Sequence, residues 1–157
     1  MRILITSDTH GYYGKITDFI LNRDDIDLMI HAGDGVKDCI SINYETGVSY
    51  YVVKGNNDFY CNEPYYKIIE IEGHRIYLTH GHKENVDFSL ENLLEKAKNN
   101  SCDIAIFGHI HRYIALESLG ILVLNPGSAS LPRDGVASAI IMDIDSKGIE
   151  TKKVLLD

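Results

Sequence analysis

The sequence predicts a mixed α/β domain (α+β mixed) in which two mixed β-sheets pack face to face with helices outside. Up to about residue 58, short apolar runs alternate with stretches of helical spacing, while beyond residue 64 the runs come mostly in pairs joined by tight turns. Five of the runs also end in His, Asp or Asn. Strand ends that converge on one rim are how open α/β sheets build sites. With 157 residues, 45% of them hydrophobic and 24% charged, the chain can bury a core as one domain spanning residues 1–157.

Ile3 to Thr6 is a short apolar strand, and Ser7-Asp8-Thr9-His10-Gly11 is its polar exit. Ile16, Phe19 and Ile20 recur at helical spacing, so Tyr13 to Asn22 reads as an amphipathic helix. Ile26 to His31 is the next strand, ending at Gly33-Asp34, and Val36, Ile40 and Ile42 outline a short helix within Gly35 to Tyr44. Ser49 to Lys54 is a third strand with the exit Gly55-Asn56-Asn57-Asp58. Lys67 to Glu72 and Arg75 to Thr79 form a hairpin at Glu72-Gly73, followed by His80-Gly81-His82.

Ser89 to Asn99 reads as a helix. Ser89 is the candidate N-cap, Glu91 places an acid in the first turn, and Leu90, Leu93, Leu94 and Ala97 give the apolar face. Asp103 to Phe107 is a buried strand leading into Gly108-His109-Ile110-His111. Tyr113 to Glu117 and Ile121 to Asn125 flank Ser118-Leu119-Gly120 as a second hairpin, and Asn125-Pro126-Gly127-Ser128 is a turn-rich loop. Ala137 to Ile144 and Ile149 to Leu155 are strands around Asp145-Ser146-Lys147-Gly148.

The formal net charge of −8 argues against stable nucleic-acid binding, because phosphate neutralisation needs a basic stripe that no segment supplies. Cys39, Cys61 and Cys102 are odd in number and lack a Cys-x-x-Cys, which fits neither a disulfide framework nor a structural zinc site. The N-terminus meets Asp8 before a signal-peptide apolar region could be complete, and no apolar run approaches a membrane span. A cytoplasmic protein without membrane contact is the expectation. Apolar strand edges could pair between subunits, so a homo-oligomer is allowed.

Asp8, His10, Asp34, Asn56, His80, His109 and His111 are seven candidate metal ligands. An oxygen and nitrogen set without Cys suits Mn²⁺, Fe²⁺, Zn²⁺, Co²⁺ or Ni²⁺ better than Ca²⁺ or Cu(I). Seven ligands are too many for one ion with open positions and suit two ions sharing a carboxylate. Two ions roughly 3.5–4 Å apart are the usual device for in-line displacement at phosphorus.

Asp-x-His, Gly-Asp, Gly-Asn, His-Gly-His and Gly-His-x-His, in this order, resemble the calcineurin-like metallophosphoesterases. The small size, with Asn125-Pro126-Gly127-Ser128 and Pro132-Arg133 closing the pattern, is similar to their compact bacterial and archaeal phosphodiesterase branch. The resemblance runs from Ile3 to Arg133 and implies a four-layer α-β-β-α sandwich. It also implies that Asp8, His10 and His111 hold a first ion, that Asn56, His80 and His109 hold a second, and that Asp34 bridges them. Metal-bound hydroxide would be the nucleophile, without a covalent enzyme intermediate.

One position departs from the pattern: many relatives have a His that protonates the leaving oxygen where this chain has Asn57. Asn cannot act as a general acid, so esters with good leaving groups, or another donor such as His82, are expected. Asp58 is expected to orient a ligand. His82 either touches substrate, as Asn57 would, or merely shares a loop with His80. Arg133 contacts a substrate phosphate or forms a surface salt bridge. His31 is read as a hydrogen-bonding residue at a strand end, His74 as solvated at a hairpin turn, and Asn125 to Ser128 as a structural turn. Tyr12, Tyr13 and Tyr60 flank the motif loops and could stack on an aromatic substrate.

The expectation is therefore a two-metal phosphodiesterase for a small phosphate ester, with Mn²⁺ the first choice of ion and Asp34, Asn56 and His82 at the reacting centre. The alternatives are a phosphomonoesterase on the same site and a non-catalytic protein-interaction scaffold. The retromer subunit of this fold is an example of such a scaffold. Intact Asp8, His10 and Asp34 weigh against that, because a scaffold need not retain a bridging carboxylate.

Overall fold

A computed structural model describes all 157 residues. Ten strands and three helices follow in the order β1 (Arg2–Thr6), α1 (Gly14–Leu21), β2 (Leu28–His31), α2 (Val36–Thr46), β3 (Tyr50–Val52), β4 (Tyr66–Ile71), β5 (His74–Thr79), α3 (Glu91–Asn99), β6 (Ile104–Ile106), β7 (Tyr113–Ser118), β8 (Ile121–Pro126), β9 (Ser138–Asp145) and β10 (Gly148–Leu155).

The strands form two five-stranded sheets, ordered β10-β9-β1-β2-β3 and β4-β5-β6-β8-β7. In the first sheet β1, β2 and β3 run parallel while β9 and β10 are antiparallel. In the second, β5, β6 and β8 are parallel and the edge strands β4 and β7 antiparallel. Both sheets are mixed, as the two textures of the sequence require.

Period-two alternation assigns the two faces of each sheet. Ile3, Ile5 and Ile30 face Ile76, Leu78, Ile104 and Ile106 across the inter-sheet core. Leu4 and Met29 point the other way, against Ile16 and Ile20 of α1 and Cys39 and Ile42 of α2. On the outer face of the second sheet, Tyr77, Ala105 and Val123 pack on Leu93 and Ala97 of α3. The result is the four-layer α-β-β-α sandwich. Its central strands are buried on both faces, which is why they read as unbroken apolar runs.

The hairpin turns at Glu72-Gly73 and Leu119-Gly120 form as expected, with all four residues at positive φ. Two local expectations are corrected. The N-cap of α3 is Leu90, without a side-chain cap bond, since the Ser89 hydroxyl only accepts from the Glu91 N–H at 3.4 Å. His74 is paired rather than solvated: its Nδ1 lies 2.6 Å from Asp103 Oδ2 and its Nε2 3.3 Å from the Asp145 carbonyl. No helix is long and apolar enough to cross a membrane. All three cysteines are free.

Candidate metal centre

The parallel strands β1, β2, β3, β5 and β6 deliver their C-terminal loops to one rim, and those loops carry the expected ligands. The loops are tied to one another. The Asp8 N–H donates to the Gly33 carbonyl, the His10 N–H to the Asp34 carbonyl, and the Gly108 N–H to the His80 carbonyl. The motif glycines make room for the carboxylates. A Cβ on Gly55 would stand 2.1 Å from Asp34 Oδ1, and one on Gly108 would stand 2.7 Å from Asp8 Oδ2.

Asp8, His10, Asp34, His109 and His111 all adopt positive φ, between 47° and 69°. Non-glycine residues rarely sit there, and such strain persists at functional sites where the surroundings over-determine it. Here the left-handed turns aim side chains inward from a loop only a few residues long.

Two groups of ligand atoms result, Asp8-His10-His111 and Asp8-Asp34-His80, with the atoms of each group within 4.8 Å of one another. Asp8 Oδ1 lies 3.2 Å from His111 Nε2, 3.5 Å from His10 Nε2 and 3.8 Å from His80 Nε2. Asp34 Oδ2 also spans both groups, 3.6 Å from His10 Nε2 and 3.3 Å from His80 Nε2. Asn56 Oδ1 is 2.9 Å from His80 Nε2.

His109 stands apart from both groups. Its ring centroid is 5.1 Å from that of His80, but its Nε2 turns to Asp87 Oδ2 at 2.9 Å, while its main-chain N–H donates to Asp8 Oδ2. The imidazole keeps Nδ1 as its uncommitted nitrogen.

The chemistry of this donor set fits a divalent cation. Asp8 Oδ1 is buried and has no hydrogen-bond donor. His80 and His111 each donate from Nδ1 to a carbonyl, of Ala32 and Leu131 respectively, both at 2.7 Å. Those bonds fix the rings so that the lone pairs on both Nε2 atoms face carboxylate oxygen. Without a metal, protons must bridge them. Burial pushes the Asp8 carboxyl up, but the His10 and His111 rings that face it, with the Ser7 hydroxyl on Oδ2, hold it far below the usual carboxylate range. Burial likewise opposes ionisation of Asp34, which His80 and Asn57 nonetheless bring to about 2. The pKa of His80 is raised by Asp34 and Asp8 against its burial, and that of His111 by Asp8. Ionised carboxylates thus demand positive charge among them, and a divalent ion supplies it with the imidazoles left neutral.

The supporting residues explain the rigidity. Asp58 accepts from the N–H groups of Asp34, Val36 and Gly55, orienting Asp34 as expected. Asn57 donates to Asp34 from both its main-chain N–H and its Nδ2, at 2.8 and 2.9 Å. His82 packs its ring on Tyr65 at 5.4 Å and lies 6.2 Å from His109, with a buried, unpartnered Nδ1 and a pKa lowered by burial. The guanidinium of Arg133 is exposed and forms no ion pair, while its main-chain N–H donates to the His111 carbonyl.

Other supporting residues escaped the sequence reading. Asp87 holds His109, and Asp38 accepts from the Thr9 hydroxyl at 2.5 Å and the Gly11 N–H at 2.9 Å. Ser130 was missed as well: its hydroxyl joins that of Ser128 in donating to the Asp8 carbonyl, so the Asn125–Ser128 turn is structural, as its sequence suggests, and clasps the first motif loop. The one available signal was Asp38 in the first turn of α2, an ordinary place for a helical acid.

A model of the calcineurin-like phosphoesterase superfamily domain matches residues 1–147. The Bacillus subtilis protein YsnB, named a probable metallophosphoesterase, is 33% identical over 85% of this chain and 78% of its own length. Phosphodiesterase MJ0936 of Methanocaldococcus jannaschii is 29% identical over the whole of both chains. Among solved structures, a conserved uncharacterized Streptococcus pneumoniae protein, predicted to be a phosphoesterase, superposes with TM-score 0.85 at 28% identity, over 98% of this chain and 88% of that one. Vps29 of Entamoeba histolytica in complex with zinc shares the fold, with TM-score 0.80 at 22% identity over the whole of both chains. With these matches across nearly its full length, the chain belongs to the calcineurin-like phosphoesterase superfamily.

Proposed function

We propose that the chain is a two-metal phosphodiesterase that hydrolyses a small phosphate ester. The observation that carries this reading is the buried Asp8 Oδ1, faced by three imidazole Nε2 atoms and lacking any donor. The full-length likeness to phosphodiesterase MJ0936 favours a diester over the alternative, a phosphomonoester. For a protein-interaction scaffold, the other alternative, nothing requires the left-handed backbone that holds Asp8, His10, Asp34 and His111 against one another.

In this reading Asp8, His10 and His111 hold one ion, Asn56, His80 and His109 hold the other, and Asp34 bridges them. Mn²⁺ is the first choice for this oxygen and nitrogen set, with Ni²⁺, Fe²⁺, Co²⁺ and Zn²⁺ as competitors. Such ions lower the pKa of water and neutralise charge on phosphoryl oxygens. The residues of the chain fix where that charge sits: the Ala32 and Leu131 carbonyls orient His80 and His111, and Asn57 with Asp58 pins Asp34. Asn57 cannot protonate a leaving oxygen, so esters with acidic leaving groups are the better substrates.

The test is hydrolysis of bis(p-nitrophenyl) phosphate and p-nitrophenyl phosphate by chelated protein, before and after Mn²⁺, with Asp34→Asn as control. Diester turnover that appears with metal and is lost in the variant supports the reading. Bound metal with no turnover of either ester points to the scaffold.

A further inference from the structure

The metal-facing side of the molecule opens into a cleft of about 410 Å³, lined by His10, Asp34 and Asn57 together with Lys37, Phe59 and Tyr60. Phe59 and Tyr60 contribute nothing to the core. Phe59 is 65% exposed, and Tyr60 is wholly exposed. Tyr60 is also held at φ 57°, a left-handed conformation that disfavours a bulky residue. A glycine or asparagine would relieve that backbone, so packing and stability do not account for a tyrosine there.

Lys37 is equally misplaced for stability. It lies in the first turn of α2, where the helix dipole disfavours a cation, and it forms no salt bridge. An unpaired cation and two exposed rings at the mouth of a metal centre form a binding surface for a flat, polar-edged group attached to an anion. The cleft falls within the size range of small-molecule sites and is larger than one aryl ring needs.

We propose that this cleft receives the non-reacting arm of the phosphodiester and that its chemistry selects a nucleoside, whose base stacks on Phe59 and Tyr60. The inference rests on the phosphodiesterase reading and adds the class of substrate to it. The charge of −8 and the absence of a basic stripe direct it to a mononucleotide ester rather than to a nucleic-acid strand.

Thymidine 5′-(p-nitrophenyl) phosphate and methyl p-nitrophenyl phosphate share the reacting phosphorus and the leaving group, so the ratio of their kcat/KM values reports the arm alone. The Mn²⁺-loaded protein is expected to favour the thymidine ester roughly ten-fold or more, the scale of stacking one base. Phe59→Ala with Tyr60→Ala is expected to bring the ratio near one, whereas Tyr60→Phe keeps it. A wild-type ratio near one, or a ratio that the double alanine variant leaves intact, overturns the proposal. Calorimetric binding of thymidine 5′-monophosphate against methyl phosphate reads the same preference without turnover. Absence of turnover with both esters therefore sinks the phosphodiesterase reading, and equal affinity for the two monoesters sinks the nucleoside subsite.

Discussion

Asp8 Oδ1 sits 3.2 Å from His111 Nε2, buried and without a hydrogen-bond donor, while the Nδ1–H of that histidine is committed to the Leu131 carbonyl. Two acceptors facing one another inside a protein are costly unless a cation lies between them. At a pH high enough for the His111 imidazole to be neutral, metal-free Asp8→Asn should therefore be more stable than metal-free wild type, by about 1 kcal/mol, because an amide N–H can donate to His111. Urea denaturation with a chelator present checks this. A destabilised variant would mean that Asp8 is satisfied in a way the cluster does not reveal.

Metal should in turn stabilise the wild type. An ion that binds only the folded state, present at a hundred times its Kd, adds about 2.7 kcal/mol. For a chain of this length that corresponds to roughly 5–10 °C in Tm. Mn²⁺ is expected to raise the wild-type Tm on that scale and to leave Asp8→Asn nearly unmoved. Equal shifts in the two proteins would place the ion elsewhere.

His109 depends on Asp87 for its orientation, through a 2.9 Å contact from Nε2. Partners of this kind are typically worth ten- to a hundred-fold in metal affinity. Asp87→Ala is expected to weaken Mn²⁺ binding within that range by calorimetry. The metal-free stability should stay within about 0.5 kcal/mol, since the side chain is half exposed. Unchanged affinity would remove His109 from the ligand set.

The difference between Asp87 and His109 marks what the sequence could tell. His109 lies in a patterned motif, so its place at a strand exit is legible from the unbroken apolar run Ile104 to Phe107 and the glycine that ends it. Asp87 lies in a loop with no periodicity, and its partner is 22 residues away, so only folding identifies it. Sheet order escaped for the same reason. The β1 strand pairs with β9 from the far end of the chain, a contact that no local spacing announces. Strand ends were overestimated where they become site: Val53 and Lys54 fit the strand pattern, but the observed strand stops at Val52 and the chain turns into the Gly55 loop.

His31 gives a pH dependence whose sign can be worked out. Its Nδ1 accepts from the Gly33 N–H at 3.1 Å, so its proton is on Nε2, 3.1 Å from the Thr9 hydroxyl, which in turn donates to Asp38. Full burial brings the pKa down from 6.5 to about 4. Between those values the unfolded chain binds a proton that the folded one does not, so stability is present above pH 6.5 and falls as the pH drops toward 4. From pH 7 to pH 5 this loss is about 2 kcal/mol. With chelator present, His31→Asn should be less stable than wild type at pH 7 and lose about that much less on acidification. Parallel pH profiles for the two proteins would show that His31 charges freely in the folded state.

Strain at the ligands themselves can be read by comparing two substitutions at one position. His10 holds φ 47° because its N–H is fixed to the Asp34 carbonyl and the adjoining Gly11 N–H to Asp38, so the loop cannot relax around it. Alanine at this position keeps the left-handed penalty, while glycine removes it. Metal-free His10→Gly is therefore expected to be more stable than His10→Ala by about 1 kcal/mol, although glycine loses more chain entropy on folding and would be the weaker choice at an ordinary position. Both variants should lose the Mn²⁺ response, because either removes the imidazole from the Asp8-His10-His111 group. If alanine is the more stable of the two, the loop relaxes when the histidine is removed, and the left-handed turn is maintained by the imidazole contacts rather than by the backbone bonds to Asp34 and Asp38.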